Sequence, residues 1–585
     1  MKNKIIRGIG VSPSIAMGKA FLYTPKEIIL SSKRKKGKIE EEIKLFEKAR
    51  CLSLRQLRKL KLELKKMKDV QTPRLIDVQL LFLQDPLFLN SVEKRMRNGK
   101  ESAEEAIINF AKGLEKDFLN IPNSYIAERY SDVKDVISRL LRNLREEEDA
   151  SLEEFGEIGV AESFTASSVL ELSKLGVKGI VSEGGGRTSH FVILAEALGV
   201  STVVGANGIT NEIETGDEII VDGISGVVII RPDEDTKRRF ERKREEAIAI
   251  QKEFLEKKFL PATTIDGFSI DISANIELPV EIPLIKEYGA KGVGLLRTEY
   301  LFLTSKGIPS EEEQYNFYVK IAESVFPDYV IMRTLDLGGD KVFKMKMQEE
   351  NPFLGWRGIR FTLSNEEIFR AQLRAMLRAS AKGNVRILIP MVSQIEEILR
   401  VRELTEKIKK ELKEEGILFD ENIEIGAMVE IPSVPLMADF FSEVVDFFSL
   451  GTNDLTQYTL AVDRGNKKIS YLFDQLDPAV ITLMKMTVEK AHHNNKWVGV
   501  CGDVASDLVA LPILLGMEVD ELSLPLAFIP QVKEVIRGLS LKECKELLKN
   551  IEGKKSAREV REMLKEEILR RFPSFKNILV EVEND

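Results

Sequence analysis

Five apolar runs in the C-terminal half of the sequence end in side chains that can bind an anion, ligate a metal or react. The clearest run spans 444–450; it stops at Gly451 and is followed by Asn453 and Asp454, and then by Arg464. The residues that directly follow the other four runs are Arg297, Arg333, Glu430 and Cys501. In a parallel α/β protein, ligands bind in the loops after the carboxyl ends of the strands. The five runs therefore predict parallel strands whose ends build one site.

The spacing of the apolar runs from Thr263 to the C-terminus predicts a (β/α)8 barrel. Eight candidate strands alternate there with helical patterns, at 269–274, 292–296, 329–332, 385–389, 424–429, 445–449, 498–500 and 521–524. Eight strands in about 300 residues, with helices between them, is the arrangement of such a barrel. The reactive residues are then expected to converge on its top face.

The N-terminal half predicts a smaller α/β domain with a helical insertion, so the fold class is multidomain α/β. Residues 151–232 alternate short apolar runs with turns, whereas residues 1–30 hold strand-like pieces too short to fold alone. We therefore expect the first segment to complete the sheet of the second. A highly charged stretch without Gly or Pro follows and predicts one exposed connecting helix. The predicted domains are an α/β domain (1–30 and 146–232), a helical subdomain (31–145), a linker helix (233–260) and the barrel (261–585).

The helical subdomain shows apolar residues at helical spacing. The residues of this predicted buried stripe are Ile43, Phe46, Leu52, Leu54, Leu57, Leu60 and Leu64. Further helices are predicted at 75–83, 103–118 and 126–144, and their short connections indicate an antiparallel bundle. Residues 31–69 hold 15 Lys or Arg against 6 Asp or Glu, with few aromatics between them. A solvated helix face is a better interpretation of this stretch than a nucleic-acid surface.

The composition excludes several classes of protein. A chain of 585 residues is expected to form two to four domains. No run approaches the roughly 18 apolar residues of a membrane span, and a net charge of -8 excludes a globally basic nucleic-acid binder. Three cysteines provide no disulfide framework, and the N-terminus has no apolar signal region. We therefore expect a cytoplasmic protein without membrane insertion.

A glycine-rich loop leads to His190, one of three histidines in the chain. Residues 184–189 read Gly-Gly-Gly-Arg-Thr-Ser, and an apolar helical pattern begins at the histidine. Glycines allow a ligand to approach closely, and the N-terminus of a helix stabilises an anion such as a phosphate. Imidazole is a competent nucleophile at neutral pH. A capping or packing histidine is the alternative, and the glycine-rich approach favours the nucleophile.

The residues at the predicted strand ends suit a substrate with carboxylate and phosphate oxygens. Arg297 and Arg333 can bind such oxygens in bidentate geometry. Glu430 and Asp454 are oxygen ligands that suit a Mg²⁺ ion shared with the substrate. Arg357 is a further candidate for anion contacts.

Further candidates are Lys341, Cys501 and the adjacent histidines His492 and His493. Lys341 lies in a loop after one of the strands. Cys501 could be reactive near an arginine-rich face, with buried packing as the alternative. His492 and His493 end a predicted helix, and adjacent residues on a helix do not share a face. Capping of that helix end is therefore favoured over metal binding.

Two stretches resemble the signatures of enzymes that use phosphoenolpyruvate. Residues 185–190, Gly-Gly-Arg-Thr-Ser-His, resemble the phosphohistidine signature, and residues 446–457 resemble the second signature. The order of helical segment, histidine domain, linker helix and barrel resembles Enzyme I, the phosphoenolpyruvate-protein phosphotransferase family of the bacterial sugar phosphotransferase system. Residues 128–133 also resemble the last helix of its carrier-binding subdomain. The resemblance covers essentially the whole chain.

The resemblance implies a role for each candidate. His190 would accept the phosphoryl group, and Cys501 would protonate the enolpyruvate leaving group. Glu430 and Asp454 would ligate Mg²⁺. The residues that would hold phosphoenolpyruvate are Arg297, Arg333, Asn453, Asp454 and Arg464. The acceptor would be the phosphocarrier protein HPr, and the barrel would form a homodimer.

Two positions depart from the family pattern. Phe191 replaces a small residue or Thr, and Asp503 replaces a Glu. Neither change removes a reacting group.

Two alternative functions share part of this evidence. A pyruvate phosphate dikinase or phosphoenolpyruvate synthase has both signatures but needs a nucleotide-binding domain, and residues 1–150 lack a glycine-rich phosphate loop. A non-catalytic module that only binds the carrier would not need the full set of reacting residues.

Overall fold

The computed structural model divides the chain into two compact units, one within residues 1–249 and one within residues 250–576. It describes residues 3–12, 14–23, 38–66, 80, 82–84, 86–98, 101–119, 136–145, 156–185, 190–277, 281–304, 308–338, 351–464, 466 and 468–575. Gly186–Ser189, Lys341 and the segment 128–133 lie outside these residues, as do most of 75–83 and the first part of 126–144. None of the described helices is both long and apolar enough to cross a bilayer.

The first unit contains a mixed sheet of eight strands. They are β1 (Lys4–Arg7), β2 (Ile9–Gly10), β3 (Ile15–Leu22), β4 (Ile158–Ala161), β5 (Gly179–Ser182), β6 (Ser201–Val204), β7 (Glu218–Asp222) and β8 (Val227–Ile230). Their order is β1-β8-β7-β3-β4-β5-β6-β2. β3 lies between β7, with which it is antiparallel, and β4, with which it is parallel. The N-terminal segment thus supplies a central strand that joins the two halves of the sheet.

Both faces of this sheet are covered. β4, β5, β6 and β8 are buried along their whole length, which agrees with their content of Val and Ile. The helices Ala166–Lys174 and His190–Ala197 contribute to one apolar core through Leu172 and Leu194. The short helix Ile209–Glu212 joins a second core.

The helical segment contains the helices Ile39–Lys66, Pro86–Asn98, Ala103–Leu119 and 136–145. Phe46, Leu54 and Leu57 are buried as expected. The assignment of Leu52 to the buried stripe is wrong, since its side chain is 38% exposed. Leu52 precedes Leu54 by two positions, a rotation of about 200° around the helix, so the two cannot share a face.

The charged stretch forms one helix, Glu234–Glu256, but this helix is not exposed throughout. Phe240 packs against the apolar face of β7 and β8. Lys243 is buried, and its Nζ lies 2.5 Å from Asp222 Oδ2. Near the C-terminal end of the helix, Phe254 packs edge-to-face against Phe575, with 5.9 Å between the ring centroids. Buried contacts thus hold the first half of the helix and its C-terminal end.

The second unit is a closed barrel of eight parallel strands, and this confirms the predicted (β/α)8 fold. The strands are β9 (Asp271–Ile276), β10 (Val293–Leu296), β11 (Val330–Arg333), β12 (Val385–Ile389), β13 (Ile425–Val429), β14 (Phe447–Leu450), β15 (Trp497–Val500) and β16 (Glu521–Leu524). β16 pairs with β9 and closes the barrel. Each observed strand overlaps one of the eight predicted runs.

Helices follow the strands and pack around the barrel. Their bounds are Ile282–Glu287, Glu299–Thr304, Glu311–Val325, Ile359–Ser364, Glu366–Ala379, Ile395–Glu414, Ser433–Leu436, Ala438–Ser442, Thr452–Leu460, Pro478–His493, Leu511–Gly516, Ile529–Arg537, Leu541–Ile551 and Ala557–Arg571. Local signals start several of them: Ser310 and Glu313 form a capping box before Glu311–Val325. Asp477 caps the helix that begins at Pro478.

The barrel interior is filled by side chains. Leu295, Ile331, Leu388, Met428 and Phe447 form an apolar cluster that also includes Cys501. Towards the amino ends of the strands, a Cβ atom on Gly294 would lie 2.2 Å from Glu521 Oε1, so only glycine fits there. The barrel is therefore a packed core, and its C-terminal loops are left to carry a site.

Candidate active site

The carboxyl ends of the barrel strands bring the predicted site residues to one face. Arg297 follows β10, and Arg333 is the last residue of β11. Glu430 follows β13, the helix Thr452–Leu460 follows β14, and Cys501 follows β15. All neighbouring strands are parallel, so their carboxyl ends share one end of the barrel.

Arg333 is held by two carboxylates. Its Nη2 donates to Glu299 Oε1 at 3.0 Å, and its Nη1 lies 3.3 Å from Asp336 Oδ2. Its side chain is 12% exposed. Burial disfavours the guanidinium, but the charges of Glu299 and Asp336 outweigh that effect and raise its pKa. Arg333 is therefore a permanently charged group in a fixed position.

Arg357 links Asp336 to Asp454. Its Nε and Nη2 donate to the two oxygens of Asp336 at 3.0 and 2.7 Å. Its Nη2 also lies 3.3 Å from Asp454 Oδ2. Burial opposes ionisation of Asp336, yet the charges of Arg357 and Arg333 lower the pKa of that carboxyl. Sequence reasoning gave no role to Asp336 or Glu299, although both stand within three residues of a predicted arginine.

Glu430 is the most perturbed acid of this face. It is buried, and its Oε1 accepts a hydrogen bond from the Met391 backbone N–H. Burial, together with the negative charges of Asp336 and Asp454, raises the pKa of Glu430 to about 8. A buried carboxyl next to two other carboxylates is electrostatically suited to a cation.

These carboxylates fit a Mg²⁺ ion that shares its coordination with a substrate. Glu430 and Asp454 provide hard oxygen ligands close enough to perturb one another. Among the described residues, no group of three or more His, Cys, Asp or Glu is arranged to hold a metal. Mg²⁺ commonly takes one or two protein carboxylates and completes its shell with water and substrate phosphate oxygens. Two carboxylates on this face are sufficient for that mode of binding.

The remaining predicted anion ligands occupy the rim. Arg297 Nη1 lies 3.8 Å from Glu277 Oε2, and its buried Nε has no hydrogen-bond partner among the described residues. Asn453 Oδ1 accepts hydrogen bonds from Gln475 Nε2 at 2.8 Å and from the Asp503 backbone N–H at 3.0 Å. Arg464 is exposed. Asp503 holds Asn453 through its backbone N–H, so the exchange of Glu for Asp at this position does not affect this contact.

Cys501 is buried at the top of the barrel core. Ser449 Oγ donates to its Sγ at 3.2 Å, and Sγ donates to the Leu450 carbonyl oxygen at 3.6 Å. Burial raises the pKa of this thiol to about 11. The group is therefore a protonated thiol at neutral pH, which suits a proton donor rather than a thiolate nucleophile.

His190 begins the helix His190–Ala197, as the sequence indicates, and this helix belongs to the first unit. The structure describes neither its side chain nor the loop before it, so its role stays a prediction. His492 ends the helix Pro478–His493, and its Nε2 lies 2.9 Å from Asp520 Oδ2. This contact joins the helix end to a carboxylate of another segment, so the capping interpretation stays a prediction.

Comparison with known proteins places the chain in a family. A family described as "PEP-utilising enzyme, PEP-binding domain" matches residues 251–541. Its N-terminal and mobile domains match residues 7–129 and 154–226. The phosphoenolpyruvate-protein phosphotransferase of Staphylococcus aureus is 37% identical over 549 residues, which are 93% of this chain and 96% of that protein. The chain belongs to the phosphoenolpyruvate-protein phosphotransferase family.

Two further matches are a second relative and a solved structure. The phosphoenolpyruvate-protein phosphotransferase of Priestia megaterium is 37% identical over 566 residues, covering 96% of this chain and 99% of that protein. A solution structure of Enzyme I (nEIt) is 31% identical and covers 41% of this chain and 98% of that structure, with a TM-score of 0.34.

Proposed function

We propose that this phosphotransferase moves the phosphoryl group of phosphoenolpyruvate to its own His190 and then to a histidine of the phosphocarrier protein HPr. Membership of the family supports the overall reaction. The single structural observation that supports it best is the juxtaposition of Arg333, Arg357, Glu430 and Asp454 at the C-terminal face of the barrel. Fixed guanidinium groups beside the carboxyl groups of Glu430 and Asp454 suit a trianionic substrate that brings a divalent cation.

The arginines would bind the substrate. Arg333 is fixed by Glu299, and the Arg297 Nε–H has no hydrogen-bond partner among the described residues, so both arginines can donate to phosphate or carboxylate oxygens. Asn453 and Arg464 would complete the site from the loop after β14. Glu430 and Asp454 would hold Mg²⁺, which, when bound, neutralises charge on the substrate oxygens.

His190 would attack phosphorus in line with the bridging oxygen. The new N–P bond forms as the O–P bond breaks, and the electron pair stays on the enolate of pyruvate. The helix that begins at His190 would stabilise the phosphorylated imidazole through its N-terminal N–H groups. Cys501 would deliver its thiol proton to the enolate carbon, giving pyruvate, and the thiolate would regain a proton from solvent.

The remaining assignments concern the whole protein. The helical subdomain at 31–145 would dock HPr, the segment 233–260 would act as the linker, and the barrel at 261–585 would form a homodimer. Exposed apolar side chains at Leu436, Met437 and Phe440 support an association surface on the barrel. We propose a cytoplasmic location, which suits a small carrier protein and a glycolytic substrate.

The test is phosphorylation without a nucleotide. The protein is incubated with labelled phosphoenolpyruvate and Mg²⁺, and HPr is then added. We expect an acid-labile, base-stable label that passes to HPr, no label on His190→Ala, and little label when Mg²⁺ is chelated. Labelling that requires a nucleotide would instead indicate a dikinase or synthase. Full labelling of His190→Ala would overturn the assignment of the phosphorylated residue.

A further inference from the structure

A buried glutamine lies beneath the arginine end of the site. Gln372 is on the helix Glu366–Ala379 and is 1% exposed. Its Oε1 accepts a hydrogen bond from the Leu335 backbone N–H at 2.9 Å. Its Nε2 donates to Thr298 Oγ1 and to Tyr318 Oη, both at 3.1 Å. Every hydrogen-bonding atom of this amide is thus in use.

The orientation of the amide follows from the chemistry of its partners. The Leu335 N–H can only donate, so the atom that faces it must be the carbonyl oxygen Oε1. Thr298 Oγ1 donates its own proton to the Arg333 carbonyl oxygen at 2.9 Å, which leaves its lone pairs to accept from Nε2. Gln372 therefore holds the Leu335 backbone directly and the Arg333 backbone through one hydroxyl.

The segment 333–336 carries two charged side chains of the site and is held by three side chains from other segments. Thr298 binds the Arg333 carbonyl, Gln372 binds the Leu335 N–H, and Glu299 Oε1 binds the Asp336 N–H at 2.9 Å. Thr298 and Glu299 follow β10, whereas Gln372 reaches the segment from the helix Glu366–Ala379. Loss of Gln372 would leave the Leu335 N–H without this partner, and in the middle of the segment the bond from the Thr334 N–H to the Leu388 carbonyl oxygen would remain.

We propose that Gln372 is a positioning residue for the phosphoenolpyruvate site: it fixes the backbone that carries Arg333 and Asp336. This inference rests on the proposed function. Gln372 has no contact with Glu430, Asp454 or Cys501 in the hydrogen bonds of the described residues, so it acts only through the segment that it holds. Small displacements of a substrate-binding arginine have large kinetic effects, since a misplacement of about 1 Å can cost about 10²-fold.

The main test is Gln372→Leu, which removes the hydrogen bonds of the side chain and leaves an apolar group in its place. We expect the KM for phosphoenolpyruvate to rise about tenfold and kcat/KM to fall about 10- to 100-fold, as for the loss of other groups that orient a ligand-binding side chain. Transfer from phosphorylated HPr back to His190 should be unchanged, because that step does not use the barrel.

Tyr318→Phe is the matched control. Tyr318 is fully buried, and its hydroxyl accepts from Gln372 Nε2 and donates to Gln314 Oε1, both at 3.1 Å. In the hydrogen bonds of the described residues Tyr318 does not contact the segment 333–336, so its hydroxyl can be lost while the bonds from Gln372 to Leu335 and Thr298 remain. We expect Tyr318→Phe to lower the melting temperature but to keep a nearly normal KM. An equal KM for Gln372→Leu and Tyr318→Phe would overturn the proposal.

Three more variants keep the test decisive if Gln372→Leu does not fold. Thr298→Val removes the link to the Arg333 carbonyl and should also raise the KM, whereas Thr298→Ser should keep a normal KM. A normal KM in Thr298→Val would overturn the proposal.

Gln372→Glu can donate to Thr298 only while protonated. Its kcat/KM relative to the wild type should therefore fall as the pH rises, and a constant ratio would count against the proposal. Absence of labelling in the wild-type protein would refute the proposed function itself.

Discussion

At the scale of single residues, the candidate site is organised before any ligand binds. Arg333 and Arg357 are largely buried; Asp336 binds both and Glu299 binds Arg333, so their charges need not reorganise when an anion arrives. Burial, together with the negative charges of Asp336 and Asp454, raises the pKa of Glu430. A divalent cation between Glu430 and Asp454 would relieve this repulsion, so the same arrangement serves the substrate and the metal.

Cys501 provides the prediction at this scale. The thiol is protonated and buried, and general acid catalysis typically contributes about 10²–10⁴-fold, so Cys501→Ala should lose pyruvate formation by about that factor. Binding of phosphoenolpyruvate should persist because the arginines and carboxylates remain. The measurements are pyruvate release in the steady state and phosphoenolpyruvate affinity by calorimetry.

The control for Cys501→Ala uses the opposite direction of transfer. Phosphorylated HPr should still load His190 of this variant, since that step forms no enolate. A folded Cys501→Ala protein that releases pyruvate at the normal rate would show that the acid is another group.

At the scale of elements, the ends of helices carry much of the specific chemistry. The helix Pro478–His493 starts at a capping aspartate and ends at His492, which contacts Asp520 at the start of β16. Asp520 Oδ2 also accepts a hydrogen bond from the Val498 N–H of β15 at 2.7 Å. The imidazole therefore ties a helix to two strands of the barrel.

This contact predicts that the His492–Asp520 pair makes a pH-dependent contribution to the free energy of unfolding of the barrel. The hydrogen bond to Asp520 raises the pKa of His492 above its ordinary value. A raised pKa means that the folded state binds the proton more tightly, so the stabilisation is complete below pH 6.5 and is lost as the pH rises through the raised pKa. Because the pair is half-exposed and lies at a helix end, we expect it to stabilise the folded barrel by about 0.5–1 kcal/mol at low pH.

The measurement is the free energy of unfolding of the barrel at pH 6 and pH 9, followed by hydrogen exchange of β15 and β16. His492→Gln should lower the free energy of unfolding at pH 6 by this contribution and should change it little at pH 9. His493→Gln is the control, because no contact of this kind joins His493 to a carboxylate in the described residues. An equal loss at both pH values would contradict the electrostatic origin of this contribution.

At the scale of the whole molecule, the proposed reaction needs one histidine to serve two partners. His190 belongs to the first unit, whereas the proposed substrate-binding residues belong to the second. The helix Glu234–Glu256 connects the units; Phe240 and Lys243 are buried in its first half and Phe254 near its C-terminal end. Ile248, between Lys243 and Phe254, is 60% exposed. We therefore expect the part of the helix around Ile248 to take up the movement between the two steps.

The proposed homodimer gives the prediction at this scale. Phe440 is 54% exposed next to exposed Leu436 and Met437 on two short barrel helices. A charge at this position would have to be buried in an apolar interface, so Phe440→Asp should weaken dimerisation by about 10- to 100-fold or more. Sedimentation equilibrium of the wild type and the variant would measure this.

Leu418→Asp is the control for Phe440→Asp. Leu418 is 80% exposed in a separate loop of the barrel, so a charge there should leave the dimer unchanged. Equal dimerisation of wild type and Phe440→Asp would exclude this patch from the interface.

The apolar pattern of the sequence is enough to predict the barrel and most of the charged and reactive residues at its C-terminal face. Period and spacing suffice for this, because a buried parallel strand is a short apolar run, and the residue after it necessarily lies at the carboxyl end of the strand. For the same reason Arg333, Glu430 and Cys501 could be selected one by one from their positions after apolar runs. The family resemblance added roles that spacing alone does not give.

The ion pairs between these groups and the shifts of their pKa values depend on tertiary contacts and could not be predicted from the sequence. The contacts from Arg357 to Asp336 and Asp454 span 21 and 97 positions, and no local pattern reports such pairs. In the sequence, Gln372 is an ordinary polar residue of an amphipathic helix, and Lys243 belongs to a stretch that predicts an exposed charged helix. Both are buried in the structure because distant segments pack against them. Burial and neighbouring charge then set the pKa of Glu430 and Cys501, and both are properties of the folded environment rather than of residue type.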